Sequence, residues 1–161
     1  MDIEAIKNQL RGLKLNTAAR EIDAILANQK KAVHLGWVTD LLERETDARR
    51  EAALKSRIKG ACFPEEKSVA GFDFAFNPSI NEEALRRLST LTFIPQNRIA
   101  LFLGNTGTGK THLAISIGML AVKSGYRVYC SSAKKLQAEI LTAKLNNSMS
   151  ELFKKILSAK L

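Results

Sequence analysis

The sequence predicts an α/β protein in which a helical N-terminal domain precedes a core built on parallel strands. Three observations carry this. Apolar residues recur at spacings of three and four through residues 1–60, the period of an amphipathic helix. Residues 99–118 pass from an apolar run through a glycine-rich turn into a helical pattern. A second apolar run, Tyr126-Arg-Val-Tyr-Cys130, follows Gly125, so the order strand, loop, helix, strand reads as one right-handed βαβ unit.

Taken in order, the first domain spans 1–60 and contains three helices, marked by Ile3, Ile6, Leu10 and Leu13, by Ala18, Ile22, Ile25 and Leu26, and by Val38, Leu41 and Leu42. Thr17 and Thr39 are the expected N-caps. Gly36 breaks the chain before the third helix and Gly60 stops it. That helix mixes Arg44, Arg49, Arg50, Lys55, Arg57 and Lys59 with Glu43, Glu45, Asp47 and Glu51. At about 100° per residue its bases do not fall on one stripe, so a DNA face and a solvated helix laced with ion pairs fit equally. His34, beside Gly36-Trp37, reads as a helix-end residue. Residues 61–79 form a linker rich in large apolar side chains, in which Phe72, Phe74 and Phe76 alternate and can lay one face on the next domain. Ser79 and Glu82 make a capping box that opens a helix with Ile80, Ala84, Leu85 and Leu88 on its apolar side.

The second domain, 80–161, is expected to hold a strand over Arg98 to Leu103, a helix from Lys110 to Lys123 stopped by Gly125, and the strand Tyr126 to Cys130. Ser131 or Ser132 caps a helix through Lys144, and an amphipathic helix from about Ser150 places Leu152, Phe153, Ile156, Leu157 and Leu161 on one side. Between the first strand and its helix lies Gly-x-x-x-x-Gly-Lys-Thr, with Gly104, Gly109, Lys110 and Thr111 at the fixed positions of a phosphate-binding loop, or Walker A motif. Its chemistry follows from the spacing. Gly104, Gly107 and Gly109 let the backbone turn with its amides inward, and the positive end of the next helix completes a cage for phosphate oxygens. Lys110 reaches the β and γ phosphates, and the Thr111 hydroxyl takes one magnesium position. The candidate binding residues are therefore Gly104, Asn105, Thr106, Gly107, Thr108, Gly109, Lys110, Thr111 and His112, and the core is of P-loop NTPase type. No proton-transfer partner for His112 is visible, which favours packing or oxygen contact over catalysis. No catalytic residue is assigned.

A net charge of +9 with a pI near 9.8 points to a polyanionic partner. The excess is concentrated: residues 101–161 carry nine Lys/Arg against two acids, whereas 61–100 are slightly acidic. The bland alternative is a solvated lysine-rich face. Cys62 and Cys130 stand apart, without a C-x-x-C pair or histidine cluster, which argues against zinc or a disulfide framework and for a reducing, cytoplasmic compartment. The start lacks the pattern of a signal peptide. The longest apolar run, Leu113 to Val122, is too short to span a bilayer, so no membrane association is expected. A P-loop enzyme also needs an acid at the tip of a later strand, yet beyond Thr111 the only carboxylate side chains are Glu139 and Glu151, both in helical patterns. A truncated core, deficient in hydrolysis by itself, is expected.

From Leu13 onward the sequence resembles the N-terminal part of an IstB-type ATPase, an AAA+ helper of insertion-sequence transposition, and is closely similar to DnaC-type helicase loaders. The resemblance rests on the stretch from Lys55 to Pro64, on Phe72-Asp-Phe-Ala-Phe-Asn-Pro-Ser79, and above all on Leu103-Gly-Asn-Thr-Gly-Thr-Gly-Lys-Thr-His-Leu-Ala114 with Ser124-Gly-Tyr-Arg-Val128. It implies an ATP-binding AAA+ core using ATP and Mg2+, a homo-oligomer on duplex DNA in full-length relatives, and a transposase partner. A DnaC-like role would substitute a replicative helicase and DNA replication. Asn105-Thr106 replace the commoner Pro-Pro of the loop, inside its variable positions. The Walker B strand with its Asp-Glu pair, the polar sensor and the arginine finger of the family have no counterpart in these residues. The alternative is a non-catalytic module that binds DNA or a partner and keeps the loop only as inheritance. A small-molecule kinase would need a substrate lid and further acids after the loop.

Overall fold

The computed structural model describes residues 3–27, 36–75, 77 and 80–161. Two compact units divide between Ala53 and Leu54. The helices are α1 (Ile3–Gly12), α2 (Asn16–Ala27), α3 (Gly36–Ala61), α4 (Glu82–Ser89), α5 (Lys110–Lys123), α6 (Ala133–Leu145) and α7 (Met149–Leu157).

In the first unit the three-and-four spacing becomes a small core only in part: Ile6, Leu10, Leu13, Ala19 and Leu42 are buried, with Ile22 and Val38 packed against them, whereas Ala18, Ile25 and Leu41 of the expected stripes are exposed. Lys7 ties α1 to α2, its Nζ 2.6 Å from Asp23 and 2.8 Å from Glu4. These carboxylates, Asp23 foremost, raise the lysine pKa above its ordinary value. Three expected boundaries move. α2 begins at Asn16, so Thr17 lies inside it, and α3 begins at Gly36, so Thr39 lies inside that helix. Gly60 does not end α3. Ala61 continues it, and Cys62 at φ 59° is where the chain turns away. His34, Phe76 and Ser79 lie outside the described residues.

The core of the second unit joins Ala61, Phe72, Leu85, Leu91, Phe93, Ile94, Leu113, Ile117, Ala121, Val122 and Val128. α5 sits at its centre because it is apolar on nearly every side. Leu113, Ile115, Ser116, Ile117, Gly118, Met119, Ala121 and Val122 are all buried, as expected of a helix without a polar face. The buried hydroxyl of Ser116 in α5 donates to the His112 carbonyl one turn back at 2.8 Å, so it is not stranded. The cap of α4 is Asn81, whose Oδ1 accepts from the Ala84 amide at 2.9 Å. Ser132 caps α6, its Oγ accepting from the Lys135 amide at 3.2 Å.

The parallel-strand core is not found. Among the described residues there is no β-strand, and the α/β expectation is corrected to a set of helices joined by turns and extended segments. Residues 98–103 and 126–130 keep the alternation of strands without a ladder. Ala100 and Phe102 pack on the core while Ile99, Leu101 and Leu103 are 86%, 78% and 87% exposed. The bonds of the second segment go elsewhere: the Tyr129 amide donates to Leu161 at 2.9 Å, the Lys160 amide to Arg127 at 2.8 Å, and the Cys130 amide to Ala61 at 2.8 Å. Alternating apolar residues report a half-buried extended surface; a strand also needs a neighbour to supply its hydrogen bonds. Neither run is that neighbour for the other.

Candidate functional site

The loop between the first extended segment and α5 turns through backbone conformations closed to most side chains. Gly107 has φ 81° and Gly109 φ 86°. Gly109 is also the N-cap of α5, and no side chain takes the capping position. The first-turn amides of a helix have no intrahelical acceptor, so α5 presents donors and the positive end of its dipole at the loop. Gly109 has a second constraint. A Cβ there would lie 2.5 Å from Cε2 and 2.8 Å from Cζ of Phe72, so hydrogen is the only substituent that fits.

The loop is closed internally by its own carbonyl. Asn105 O accepts from Thr108 Oγ1 at 2.9 Å and from Lys110 Nζ at 2.5 Å, and Nζ lies 3.5 Å from Thr108 Oγ1. The ammonium is thus folded back over the turn, positioned by loop atoms alone. Gly104, Asn105, Thr106, Gly107 and Thr111 are exposed, while Thr108, Gly109, Lys110 and His112 are half-buried. Beside the loop opens a cleft of about 560 Å³, whose lining includes Gly104, Asn105 and Lys110 of the loop together with Ile80, Leu85 and Leu101. A lining that mixes a cationic loop with apolar side chains suits a ligand that is both charged and aromatic.

All nine predicted positions lie on this one turn and the first turn of α5. Three further residues, from the stretch read as a linker, reach the same place. Asn77 Nδ2 donates to the Thr108 carbonyl at 3.2 Å. The His112 ring nitrogen Nε2 lies 3.1 Å from the Ser68 carbonyl. Phe72 packs edge-on against both Phe74 and His112, ring centroids 5.2 Å apart in each case. The alternating phenylalanines signalled burial, but nothing in the spacing of Ser68 or Asn77 pointed to the loop.

For magnesium, the chain offers the exposed Thr111 hydroxyl next to Lys110. Glu139 accepts from the Tyr129 hydroxyl, and Glu151 lies in the first turn of α7. The donor set fits an ion that arrives with phosphate oxygens and waters and takes one protein hydroxyl, not an all-protein cage.

A Gly-x-x-x-x-Gly-Lys-Thr turn feeding the N-terminus of a buried helix defines a phosphate-loop protein. The chain belongs to the family described as IstB-like ATP binding protein, whose model matches residues 5–161. Among relatives, an insertion sequence IS21 protein of Pseudomonas aeruginosa, named for ATP binding, is 32% identical over 87% of this chain and 54% of its own length. The corresponding IS5376 protein of Geobacillus stearothermophilus is 42% identical over 64% of this chain and 41% of its own. The IS232 protein of Bacillus thuringiensis is 32% identical over 98% and 64%. The chain spans roughly half the length of the curated relatives it matches. No described helix is long and apolar enough to cross a membrane.

Proposed function

We propose that this chain binds ATP with Mg2+ and serves insertion-sequence transposition, as an ATP-dependent partner of a transposase on duplex DNA in the cytoplasm. The observation that carries the nucleotide reading is the loop itself: uncapped α5 amides, a Gly109 that admits no side chain, and Lys110 poised across the turn. Lys110 Nζ, now on the Asn105 carbonyl, would hold triphosphate oxygens instead, a charge-assisted contact stronger than the one given up. Thr111 contributes its hydroxyl to magnesium, which supplies neutralisation of the phosphates when bound. The apolar wall of Ile80, Leu85 and Leu101 receives the base. The transposition context is supported by the names of the relatives, which place them in insertion sequences.

With Glu139 engaged by Tyr129 and Glu151 on α7, these 161 residues bind ATP without turning it over. Titration with a fluorescent ATP analogue and steady-state phosphate release, each run beside Lys110→Ala, test both halves. The expected result is binding weakened about tenfold or more by Lys110→Ala and no phosphate release above that variant. Binding indifferent to the substitution overturns the nucleotide reading. Release abolished by it overturns the claim of silence.

Duplex DNA is supported by a separate observation, the nine Lys/Arg against two acids in residues 101–161. Lysine-rich surfaces neutralise phosphates without reading bases, so weak sequence preference belongs to this reading. An oligomer on DNA is proposed for the longer relatives. A replicative helicase in place of the transposase shares the same chemistry, and co-purification with each candidate partner separates them.

A further inference from the structure

We infer that Phe72 and Asn77 are positioning residues for the phosphate loop, a clasp that holds the Thr108–Gly109 peptide in its binding-ready orientation before any nucleotide arrives. The inference rests on the nucleotide reading above for its purpose, but its geometry stands independently. Two contacts, both from a segment far upstream in sequence, converge on one peptide unit.

The first contact is a hydrogen bond from Asn77 Nδ2 to the Thr108 carbonyl at 3.2 Å, across 31 residues. Peptides are planar and no cis bond occurs here, so the carbonyl of Thr108 and the N–H of Gly109 point in opposite directions. By holding the carbonyl, Asn77 turns the Gly109 amide away from itself and fixes the peptide against flipping. Without that bond a glycine-rich turn has several orientations open to it.

The second contact is steric. The Phe72 ring lies so close to Gly109 that a Cβ would sit 2.5 Å from it, and the ring is itself only 8% exposed. Phe74 and His112, the latter in the first turn of α5, both pack edge-on against it, each at 5.2 Å between centroids. His112 is in turn within 3.1 Å of the Ser68 carbonyl. The ring therefore backs Gly109 at its left-handed φ of 86° while His112 of α5 and Phe74 hold the ring. Preorganised amides of this kind cost no reorganisation when the anion arrives.

Two variants test the clasp, Phe72→Leu and Asn77→Ala, with Phe93→Leu as a control for loss of ring volume. Phe93 belongs to the same core, whereas the side-chain atoms nearest to Gly109 are all those of Phe72. Two readouts are taken: affinity for a fluorescent ATP analogue, and hydrogen exchange of the amides of residues 104–111 without nucleotide. Both clasp variants are expected to weaken the analogue about tenfold, the effect of removing one partly buried hydrogen bond or one packed ring. They should also speed loop exchange, while Phe93→Leu lowers the melting temperature and leaves both readouts near wild type. Wild-type exchange and affinity in both clasp variants overturn the inference, as does an equal change in Phe93→Leu. If the wild-type chain itself does not bind the analogue, the nucleotide reading falls and the exchange comparison alone decides the clasp.

Discussion

The Tyr129 hydroxyl donates to Glu139 of α6, and Lys155 of α7 lies 4.6 Å from the ring centroid, while the backbone amide of the same residue donates to Leu161 at 2.9 Å. One side chain thus gathers both C-terminal helices. Partial burial, and then the bond to Glu139, raise the phenol pKa above its ordinary value. The sign follows directly. A folded-state pKa above the unfolded one means that folding favours the neutral phenol, so the contribution is complete below the unfolded pKa of about 10 and is lost as pH rises through the folded value. Thermal melts of the wild type are expected to decline above about pH 10, and Tyr129→Phe to flatten that decline while costing about 1 kcal/mol at neutral pH. An unchanged alkaline decline in the variant would show that another group causes it.

Helix ends were harder to read than helix faces, and α1 shows the reason. Its C-terminus closes with the Lys14 amide bonded to Arg11 at 2.9 Å and the Leu15 amide to Leu10 at 2.9 Å, a Schellman arrangement that needs a left-handed residue. That residue is Lys14, at φ 62°, a type with no preference for the conformation. The bonds are decided by packing Leu10 and Leu13 into the core of the first unit, and Lys14 follows. Lys14→Gly is expected to raise the stability of that unit by up to about 1 kcal/mol, the left-handed strain relieved less the added chain entropy; denaturant melts measure it. The body of α5, by contrast, was legible at once, because ten successive residues from Leu113 to Val122 include only one polar side chain and such a run has nowhere to go but inside.

Over the whole molecule the charge excess makes a quantitative demand. If duplex binding engages around four phosphates, affinity should fall about a hundredfold between 50 and 200 mM salt. Lys134→Ala with Lys144→Ala should lower the slope by roughly one unit for each phosphate that is no longer neutralised, read by fluorescence anisotropy of a labelled duplex. A flat salt profile removes charge as the driver. The amino-acid sequence by itself determined the Gly-x-x-x-x-Gly-Lys-Thr turn and the apolar α5 behind it, since spacing and residue type are sufficient for each. Of the three-and-four stripes it determined the burial of Ile6, Leu10 and Leu13, while Ala18, Ile25, Leu41, Phe153 and Leu157 stay exposed. Only the tertiary structure decided that the two apolar runs would not pair as strands, and that Asn77, Ser68 and Phe72 would gather behind Gly109. The physical reason is shared. A ladder and a clasp both depend on which distant backbone group lies opposite, and local periodicity carries no record of that.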